Sequence, residues 1–392
     1  MKPVYLDNNA TTRVAAAVVE AMVPYFTEHY GNASSAHSFG VAVGEALKNA
    51  RRSVQTLLGA EFDHEVVFTS GGTEADNTAI LSALETQRDR DEVVTTAVEH
   101  PAILALCKHL SDARGVKVHL VPVDGLGRLD VDAYRAALGP RTAIASVMWA
   151  NNETGTIFPV QQLAALARSA GALFHTDAVQ AAGKVPIDVR AAGVDMLSLS
   201  GHKLHGPKGI GALFVRKGTR LGPMMRGGRQ ERARRAGTEN IPGIVGLGKA
   251  AQLAKAGLEE QEVRVRRLRD RLERAVLDGI DGSWLAGDPE HRLPNTTNIA
   301  FEYLESEAIL TQLNRAGIAA SSGSACASGS LEPSHVLRAM KVPHTAAHGA
   351  VRFSLSRYTD EADVDRVLGV LPGILARLRE QSPRPRSIRH AS

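Results

Sequence analysis

The 392-residue sequence has only two cysteines, 4% aromatic residues and no long apolar run. Two cysteines cannot form a disulfide framework, which indicates a reducing compartment. No stretch approaches the ~18 apolar residues of a membrane span, and the N-terminus lacks the apolar core of a signal peptide. The scarcity of aromatic residues argues against a stacking surface for single-stranded nucleic acid. We therefore expect a soluble cytoplasmic protein with no membrane partner and no nucleic-acid partner.

The net charge of +4 is confined to the C-terminal end of the chain. Residues 377–392 contain five arginines and one acidic residue, Glu380, so the rest of the chain is neutral in sum. A neutral body does not attract nucleic acid. A short basic tail rich in proline and serine is typical of a solvated chain end.

Short apolar runs alternate with helical patterns through the first two-thirds of the sequence. This alternation predicts an α/β fold with a mainly parallel sheet covered on both faces by helices. The expected strands are Val66–Ser70, Val93–Ala97, Val116–Val121, Thr142–Met148, Ala172–Thr176, Met196–Ser200 and Gly211–Val215. The expected helices between them include Glu74–Leu84, Ala102–Leu110 and Val160–Ser169.

The pattern changes after about residue 257. An amphipathic helix rich in arginine and glutamate is expected over Leu258–Leu277, as a solvated helix with ion pairs at i,i+4. Strands at Asn298–Tyr303 and Val351–Ser354 and helices at Ser306–Ala316 and Glu361–Glu380 then predict a smaller α+β domain. We place a large domain at 13–257 and a small domain at 1–12 and 258–392.

A glycine-rich turn follows the first strand of the predicted sheet. In FTSGGTEADN (68–77), Gly72 and Thr73 come between the strand and the next helix. Free N–H groups at a helix start can hold an anion, and glycine lets the anion approach closely. The segment lacks the Gly-Lys-Ser/Thr of a nucleoside-triphosphate loop. It is therefore either a phosphate site or simply a strand-to-helix turn with Thr73 as the cap.

Two further turns carry a histidine and an aspartate at the edge where an open α/β sheet binds its ligands. His100 stands before a helix that begins with Pro101, where it is a structural cap or a ligand-facing residue. Asp177 ends a short apolar strand, and Gln180 follows three residues later. The surroundings of Asp177 lack metal-site spacing, so this carboxylate is a candidate partner for a protonated ring nitrogen.

The segment SLSGHKLHGP (198–207) holds Lys203 among small residues at the end of a strand. A partly desolvated lysine amine can attack a carbonyl group, which makes Lys203 a candidate Schiff-base former. Asp177 lies 26 residues earlier, about one strand–helix–strand step, so both residues should reach the same edge. An anion loop, an aspartate for a ring nitrogen and a lysine for an aldehyde together match the requirements of pyridoxal 5'-phosphate.

Several longer motifs resemble those of one protein family. They are SGGTEADN, EHPAIL, ANNETG, HTDAVQ, SLSGHK, RRAGTEN and SSGSACASGSLEPSHVLRAM. The chain resembles cysteine desulfurases, in the class V aminotransferase group of fold-type I pyridoxal-phosphate enzymes, and is most like the NifS branch. The likeness runs from residue 5 to residue 359. It implies the fold-type I transferase fold, with a mainly parallel seven-stranded sheet in the large domain.

The resemblance also implies a role for each matching residue. Lys203 would bond the cofactor aldehyde, Asp177 would pair with the pyridine nitrogen, and Gln180 would bind the phenolic oxygen. His100 would stack on the ring and relay protons. The phosphate would be held by Gly72, Thr73, Ser200, His202 and Thr238 of the partner subunit, and the substrate carboxylate by Asn152 and Arg352.

Cys326 is the implied sulfur acceptor. It lies in SSGSACASGS (321–330), which contains only serine, glycine, alanine and cysteine. Such a segment buries little apolar area, and an accessible thiolate is a nucleophile. Cys107, in the helical segment LALCKHL, is instead expected to be a packing residue.

The implied reaction removes sulfur from L-cysteine, giving L-alanine and a persulfide on Cys326. The enzyme would be a homodimer that supplies sulfur to a NifU-like Fe–S scaffold protein, for nitrogenase or for general cluster assembly. One alternative is another class V pyridoxal enzyme, such as a selenocysteine lyase or an aminotransferase. A second is a sulfur or Fe–S carrier protein without catalysis. The lack of CxxC spacing argues against an independent cluster site, although a Cys326 persulfide could ligate a transient cluster on a partner.

Overall fold

A computed structural model describes residues 3–322 and 333–381. Its largest sheet has seven strands in the order β2-β8-β7-β6-β5-β3-β4. The strands are β2 (Val66–Thr69), β3 (Glu92–Thr96), β4 (Lys117–Val121), β5 (Thr142–Ser146), β6 (Leu173–Asp177), β7 (Met196–Ser200) and β8 (Gly211–Val215). Strand β8 runs antiparallel to the other six strands, which all share one direction. The prediction of a mainly parallel seven-stranded sheet is confirmed.

Helices cover both faces of this sheet. They are α1 (Ala16–Met22), α2 (Pro24–Thr27), α3 (Ser38–Leu58), α4 (Gly72–Thr86), α5 (Pro101–Arg114), α6 (Val131–Ala137), α7 (Val160–Ser169), α8 (Val189–Ala192), α9 (Gln230–Ala233) and α10 (Ile241–Ala256). Successive strand residues face opposite sides, so Val66 and Phe68 join one core and Val67 the other. Cys107 on α5 is 2% exposed in the second core, which confirms its predicted packing role.

Two long helices were absent from the sequence-based prediction. They are α3 and α10, which pack against each other. A Cβ added to Gly248 on α10 would lie 2.6 Å from the Ala50 Cα on α3, so the glycine permits this close approach. Helix α10 contains several glycines, which lower helix propensity and hide the helical pattern in the sequence.

The remaining elements form two smaller sheets and their helices. The strands are β1 (Val4–Tyr5), β9 (Ser283–Leu285), β10 (Thr296–Phe301), β11 (Ile318–Ala319) and β12 (Ala350–Ser354). The helices are α11 (Leu258–Glu260), α12 (Arg266–Gly279), α13 (Ser306–Arg315), α14 (His335–Ala339), α15 (His344–Ala347) and α16 (Glu361–Gln381). Strands β9, β10 and β12 pair antiparallel, and β1 pairs parallel with β11. No described helix is long and apolar enough to cross a membrane.

The N-terminal residues pack with the C-terminal part of the chain. Val4 and Leu6 belong to the same core as residues of α12, β10, β12 and α16. The core beside the large sheet also takes in Ala286 and Val336 from the C-terminal part. The domain limits at 13–257, and at 1–12 with 258–392, stay a prediction.

The charged helix that was expected over Leu258–Leu277 is interrupted. Helix α11 leads into a π-helical turn at Gln261–Val265, and α12 follows. Arg264 and Arg266 form the expected i,i+4 ion pairs with Glu260 and Glu262. Val265, Leu268, Leu272 and Val276 are buried at helical spacing, whereas Val263 lies off that face and is 67% exposed.

The expectation of a fully solvated charged helix is wrong at two positions of α12. Arg269 is buried and donates to the main-chain oxygens of Leu293 and Thr296. Glu273 is buried against Arg292, with both carboxylate oxygens paired at 2.5 and 2.6 Å. Arg269 also pairs with its neighbour Asp270, but the other partners of these charges come from residues 292–297, which the local pattern of the helix cannot indicate.

The buried pair of Glu273 and Arg292 generates a stability prediction. Arg292→Met leaves the Glu273 carboxylate buried without its cation, so we expect a loss of about 3–5 kcal/mol in the free energy of unfolding. Arg274→Met is the matched control, because Arg274 is exposed on the same helix. Denaturant unfolding measures both. Replacing both partners with methionine should restore most of the loss, and an equal loss in the double variant would contradict this account.

Candidate active site

A cavity of about 390 Å³ opens at the carboxyl ends of the parallel strands. Ten of the twelve predicted site residues line it: Gly72, Thr73, His100, Asn152, Asp177, Gln180, Ser200, His202, Lys203 and Arg352. Asn9, Ala10, Asp76, Glu153 and His335 also line it and were not predicted. Among residues 3–322 and 333–381, the sequence-based site is therefore gathered in one place apart from Thr238.

Asp177 ends β6 and is buried at the edge of the cavity. The backbone N–H of Val179 donates to its Oδ1 at 2.9 Å. Burial raises the pKa of Asp177, while His100 and Lys203 oppose that rise. A buried carboxylate of this kind gains from a cationic partner, such as a protonated ring nitrogen.

Lys203 ends the single turn Gly201–Lys203 that follows β7. Its Nζ donates to the main-chain oxygens of Asn9 and Ala10, the latter at 2.6 Å. Strand β7 pairs in parallel with β6, which brings Lys203 to the same cavity as Asp177. The two carbonyl contacts come from the N-terminal segment, and no spacing in the sequence indicates them.

The anion end of the cavity is built at the start of α4. The alternative of Thr73 as a helix cap is wrong, because Gly71 is the N-cap and no side chain caps this helix. A Cβ at Gly72 would lie 2.8 Å from Val179 Cγ2, so only glycine leaves this surface open. Ser200 also lines the cavity here, and N–H groups in the first turn of a helix are donors that can hold a phosphate.

His202 adds a further donor at this end. Its Nδ1 lies 3.1 Å from Thr11 Oγ1. Burial, with a contribution from Lys203, lowers the pKa of His202 to about 4. The ring is therefore neutral at neutral pH, and a neutral ring can contact an anion only through an N–H group.

His100 has both roles that the sequence left open. It is the N-cap of α5, with Nδ1 accepting from the backbone N–H of Ala102 at 3.1 Å, and its ring lines the cavity. Burial lowers the pKa of His100. Because Nδ1 accepts, the neutral ring carries its proton on Nε2.

Arg352 on β12 is 1% exposed and reaches the cavity from the C-terminal part of the chain. Its Nη2 pairs with Asp7 Oδ1 at 2.7 Å, and its Nη1 donates to the main-chain oxygen of Asn152 at 3.0 Å. These contacts fix the guanidinium beside Asn152, where both residues can meet a substrate carboxylate.

A buried polar group that the sequence analysis missed lies behind Asp177. Asp76 on α4 is buried, and its Oδ1 has no hydrogen-bond partner among residues 3–322 and 333–381. Burial and the nearby Asp177 raise the pKa of Asp76 well above its ordinary value. Next to it, His175 Nδ1 and Nε2 contact the Ser146 and Ser198 hydroxyls at 2.8 and 2.9 Å. Burial lowers the pKa of His175 to about 3, so this ring is neutral.

The two remaining predicted site residues are Thr238 and Cys326. Thr238 lines a separate cavity of about 240 Å³ with Ser70 and Gly209. Cys326 lies outside the described residues, and so does most of the predicted loop at 321–330. Cys107 is no substitute nucleophile, because burial raises the pKa of its thiol to about 12.

Comparisons with known proteins identify the family. The model of the class V aminotransferases matches residues 4–367. The chain is 70% identical to a cysteine desulfurase of Gluconacetobacter diazotrophicus, over 98% of this chain and 96% of that protein. It is 61% identical to the cysteine desulfurase NifS of Azotobacter vinelandii, over 98% of this chain and 95% of that protein. The chain therefore belongs to the class V aminotransferase family.

Solved structures agree with this assignment. A NifS-like protein superimposes with a TM-score of 0.90 at 37% identity, covering 96% of this chain and all of that one. A structure of SspA in complex with cysteine gives a TM-score of 0.80 at 33% identity, covering 91% of this chain and 100% of that one. The fold is that of the fold-type I pyridoxal-phosphate enzymes.

Enzymes of this family use pyridoxal 5'-phosphate, and the cavity fits that group. Asp177 offers a buried carboxylate for the ring nitrogen, and Lys203 offers an amine for the aldehyde. The start of α4 offers N–H donors beside Gly72, where a Cβ would intrude. The roles of the individual residues stay a prediction.

Glu99 beside the site generates a prediction on pH dependence. It is buried, its Oε1 accepts from Thr96 Oγ1 and Met148 N, and burial raises its pKa to about 8. The folded protein holds this proton more tightly than the unfolded chain, so the stability from Glu99 is lost as pH rises towards 8. In that range, each unit of rising pH lowers the free energy of unfolding by about 1.4 kcal/mol.

Glu99→Gln removes this titration and keeps the oxygen acceptor. We expect the variant to gain stability relative to the parent as pH rises from about 5.5 to about 7.5. Denaturant unfolding of the cofactor-free protein across this range measures the difference. If the free energy of unfolding varied with pH in the same way for both proteins, the raised pKa could not belong to Glu99.

Proposed function

We propose that this chain is a pyridoxal-phosphate-dependent cysteine desulfurase. It removes sulfur from L-cysteine and leaves L-alanine and a persulfide on Cys326. The observation that carries the proposal is the gathering of Asp177, Lys203 and the open helix start at Gly72 in one cavity. It is supported by 70% identity to a protein named cysteine desulfurase over nearly the whole chain.

When bound, pyridoxal phosphate withdraws electrons from the substrate Cα through its cationic ring. Asp177 holds the proton on the ring nitrogen, and the Val179 N–H keeps its carboxylate in place. Gln180 binds the phenolic oxygen. The first turn of α4, with Thr73, Ser200 and His202, holds the phosphate.

Lys203 is the base that takes the Cα proton from the substrate. The main-chain oxygens of Asn9 and Ala10 accept from its Nζ and so direct the amine towards the cavity. His100 lies against the same space and relays protons through Nε2, because its Nδ1 is committed to the Ala102 N–H. Arg352 and Asn152 hold the substrate carboxylate, and the forked guanidinium suits that group.

The sulfur step belongs to Cys326. Its thiolate attacks the substrate sulfur, so that an S–S bond forms while the Cβ–S bond breaks and its electron pair passes to Cβ. Protonation of that fragment gives alanine. The support for this step is the sequence around Cys326, with its small residues, together with the burial of Cys107, which leaves Cys326 as the nucleophilic thiol.

The enzyme acts as a homodimer in the cytoplasm and supplies sulfur to an Fe–S scaffold protein of the NifU type. Support comes from the 61% identity to the NifS of Azotobacter vinelandii, which points to nitrogenase cluster assembly. Within one chain, Thr238 is apart from the main cavity, as expected of a residue that serves the partner subunit.

The role of Cys326 is tested by replacing it. Cys326→Ala should keep the visible absorption of the bound cofactor and still bind L-cysteine. In an assay with an added thiol, which reduces a persulfide and frees sulfide, the variant should release none, because the sulfur acceptor is gone. Cys107→Ala is the control and should keep sulfide production. Parental turnover by Cys326→Ala would exclude the persulfide. Consumption of an added keto acid together with L-cysteine, without sulfide, would instead indicate an aminotransferase.

The role of Lys203 has a matched control five residues away. Lys203→Ala should abolish alanine formation from L-cysteine, because the base for the Cα proton is lost. Lys208→Ala, at an exposed position, should leave the rate unchanged. Alanine release is the measurement, and turnover by Lys203→Ala would exclude this role.

The sharing of Thr238 between subunits is tested by mixing variants. Thr238→Ala should weaken cofactor binding at both sites of the homodimer. A dimer of one Thr238→Ala chain and one Lys203→Ala chain should contain one site with both residues intact. At a cofactor concentration that leaves the Thr238→Ala homodimer mostly unloaded, sulfide production should then rise after the two proteins are exchanged into mixed dimers. No rise would place Thr238 in the site of its own chain.

A further inference from the structure

Lys184 is a buried lysine that the mechanism above does not use. It lies in the turn after β6, four residues beyond Gln180, and is 5% exposed. It is absent from the lining of the 390 Å³ cavity. A buried lysine is costly, so its position calls for partners that hold it there.

The partners of Lys184 are two side-chain amides. Its Nζ donates to Gln180 Oε1 at 2.6 Å and to Asn9 Oδ1 at 3.0 Å. A lysine ammonium has three N–H groups and no acceptor. Both amides must therefore turn their oxygen atoms towards Lys184 and their nitrogen atoms away from it.

This orientation decides what Gln180 presents to the cavity. Its Nε2 donates one N–H group to the main-chain oxygen of Asn9 at 2.9 Å. The same nitrogen carries a second N–H group, and Gln180 lines the cavity. Gln180 thus offers a donor to a ligand, and its oxygen is committed to Lys184.

The same contact fixes the N-terminal segment. Asn9 Oδ1 accepts from Lys184, and Asn9 Nδ2 donates to Thr296 Oγ1 at 2.8 Å and to the Asn152 main-chain oxygen. The main-chain oxygen of Asn9 in turn accepts from Lys203 Nζ. Lys184 therefore braces the segment that orients Lys203.

The two contacts of Lys184 do not require its charged form. Burial, with repulsion from Lys203 and Arg352, lowers the pKa of Lys184 well below its ordinary value. The neutral amine keeps two N–H groups, which is the number that its two amide oxygens require.

We propose that Lys184 is a positioning residue that orients the Gln180 amide so that its N–H group, and not its oxygen, faces the cofactor. This inference rests on the proposed function, because the acceptor that Gln180 meets is an oxygen of pyridoxal phosphate. The hydrogen bond from Lys184 selects one of the two possible orientations of the Gln180 side-chain amide. It acts through Gln180 and Asn9 and touches no reacting atom.

The test uses Lys184→Met, which keeps the length of the side chain and removes its donors. The parent protein, this variant, Gln180→Ala and the double variant are stripped of cofactor and titrated with pyridoxal phosphate. Lys255→Met, at an exposed position on α10, is the control. The dissociation constant, the absorption maximum of the bound cofactor and the melting temperature without cofactor are recorded.

We expect Lys184→Met to weaken cofactor binding about tenfold and to shift the absorption maximum, the order expected for one lost hydrogen bond in a buried site. In the Gln180→Ala background, Lys184→Met should cause little further loss of cofactor affinity, because both replacements remove the same contact between Gln180 and the cofactor. Additive losses would overturn the inference. The inference would also be overturned if Lys184→Met had a lower melting temperature but kept the parental dissociation constant and absorption maximum.

Gln180→Glu keeps the inference testable if Lys184→Met does not fold. The carboxylate retains the oxygen that Lys184 binds and removes the N–H donor, so we expect weaker cofactor binding and a shifted absorption maximum. Parental values would overturn the inference. If the parent binds pyridoxal phosphate and releases sulfide, and Lys184→Met and Gln180→Glu bind the cofactor as the parent does, only the inference about Lys184 is refuted. A parent that binds no cofactor refutes the proposed function as well.

Discussion

The parallel pairing of β6 with β7 is the constraint on which the site depends. It aligns the carboxyl ends of two neighbouring strands, so that Asp177 and Lys203 face one cavity although 26 residues separate them. The helix start at Gly72 reaches the same edge because β2 runs in the same direction as β7, with β8 between them. One sheet direction therefore supplies a carboxylate, an amine and an anion site.

The elements of the large sheet were predictable because buried parallel strands are continuous apolar runs, and β7, β8 and α7 match their expected bounds. The glycines of α10 concealed a helix that tertiary packing stabilises. The site residues at strand ends were predictable from the chemistry of their turns. Asp76 was not, because its importance comes only from its burial beside Asp177.

The contacts that complete the site come from distant parts of the sequence. Asn9 reaches Lys203, Gln180 and Lys184, and Arg352 reaches Asp7 and Asn152. Local periodicity contains no information on such pairs, since each joins residues more than 150 positions apart. The same reason explains why Arg269 and Glu273 looked like solvated charges of a helix, while the structure buries both.

The N-terminal segment also makes contacts that span nearly the whole chain. Asn8 Nδ2 donates to the main-chain oxygen of Ser354, and the backbone N–H of Asn9 donates to the Ser354 hydroxyl. These bonds form only after β12 has left the ribosome, whereas β2 to β8 are complete more than a hundred residues earlier. A growing polypeptide therefore completes its large sheet before β12 can hold the N-terminal segment, the segment that also bears the two carbonyl contacts of Lys203.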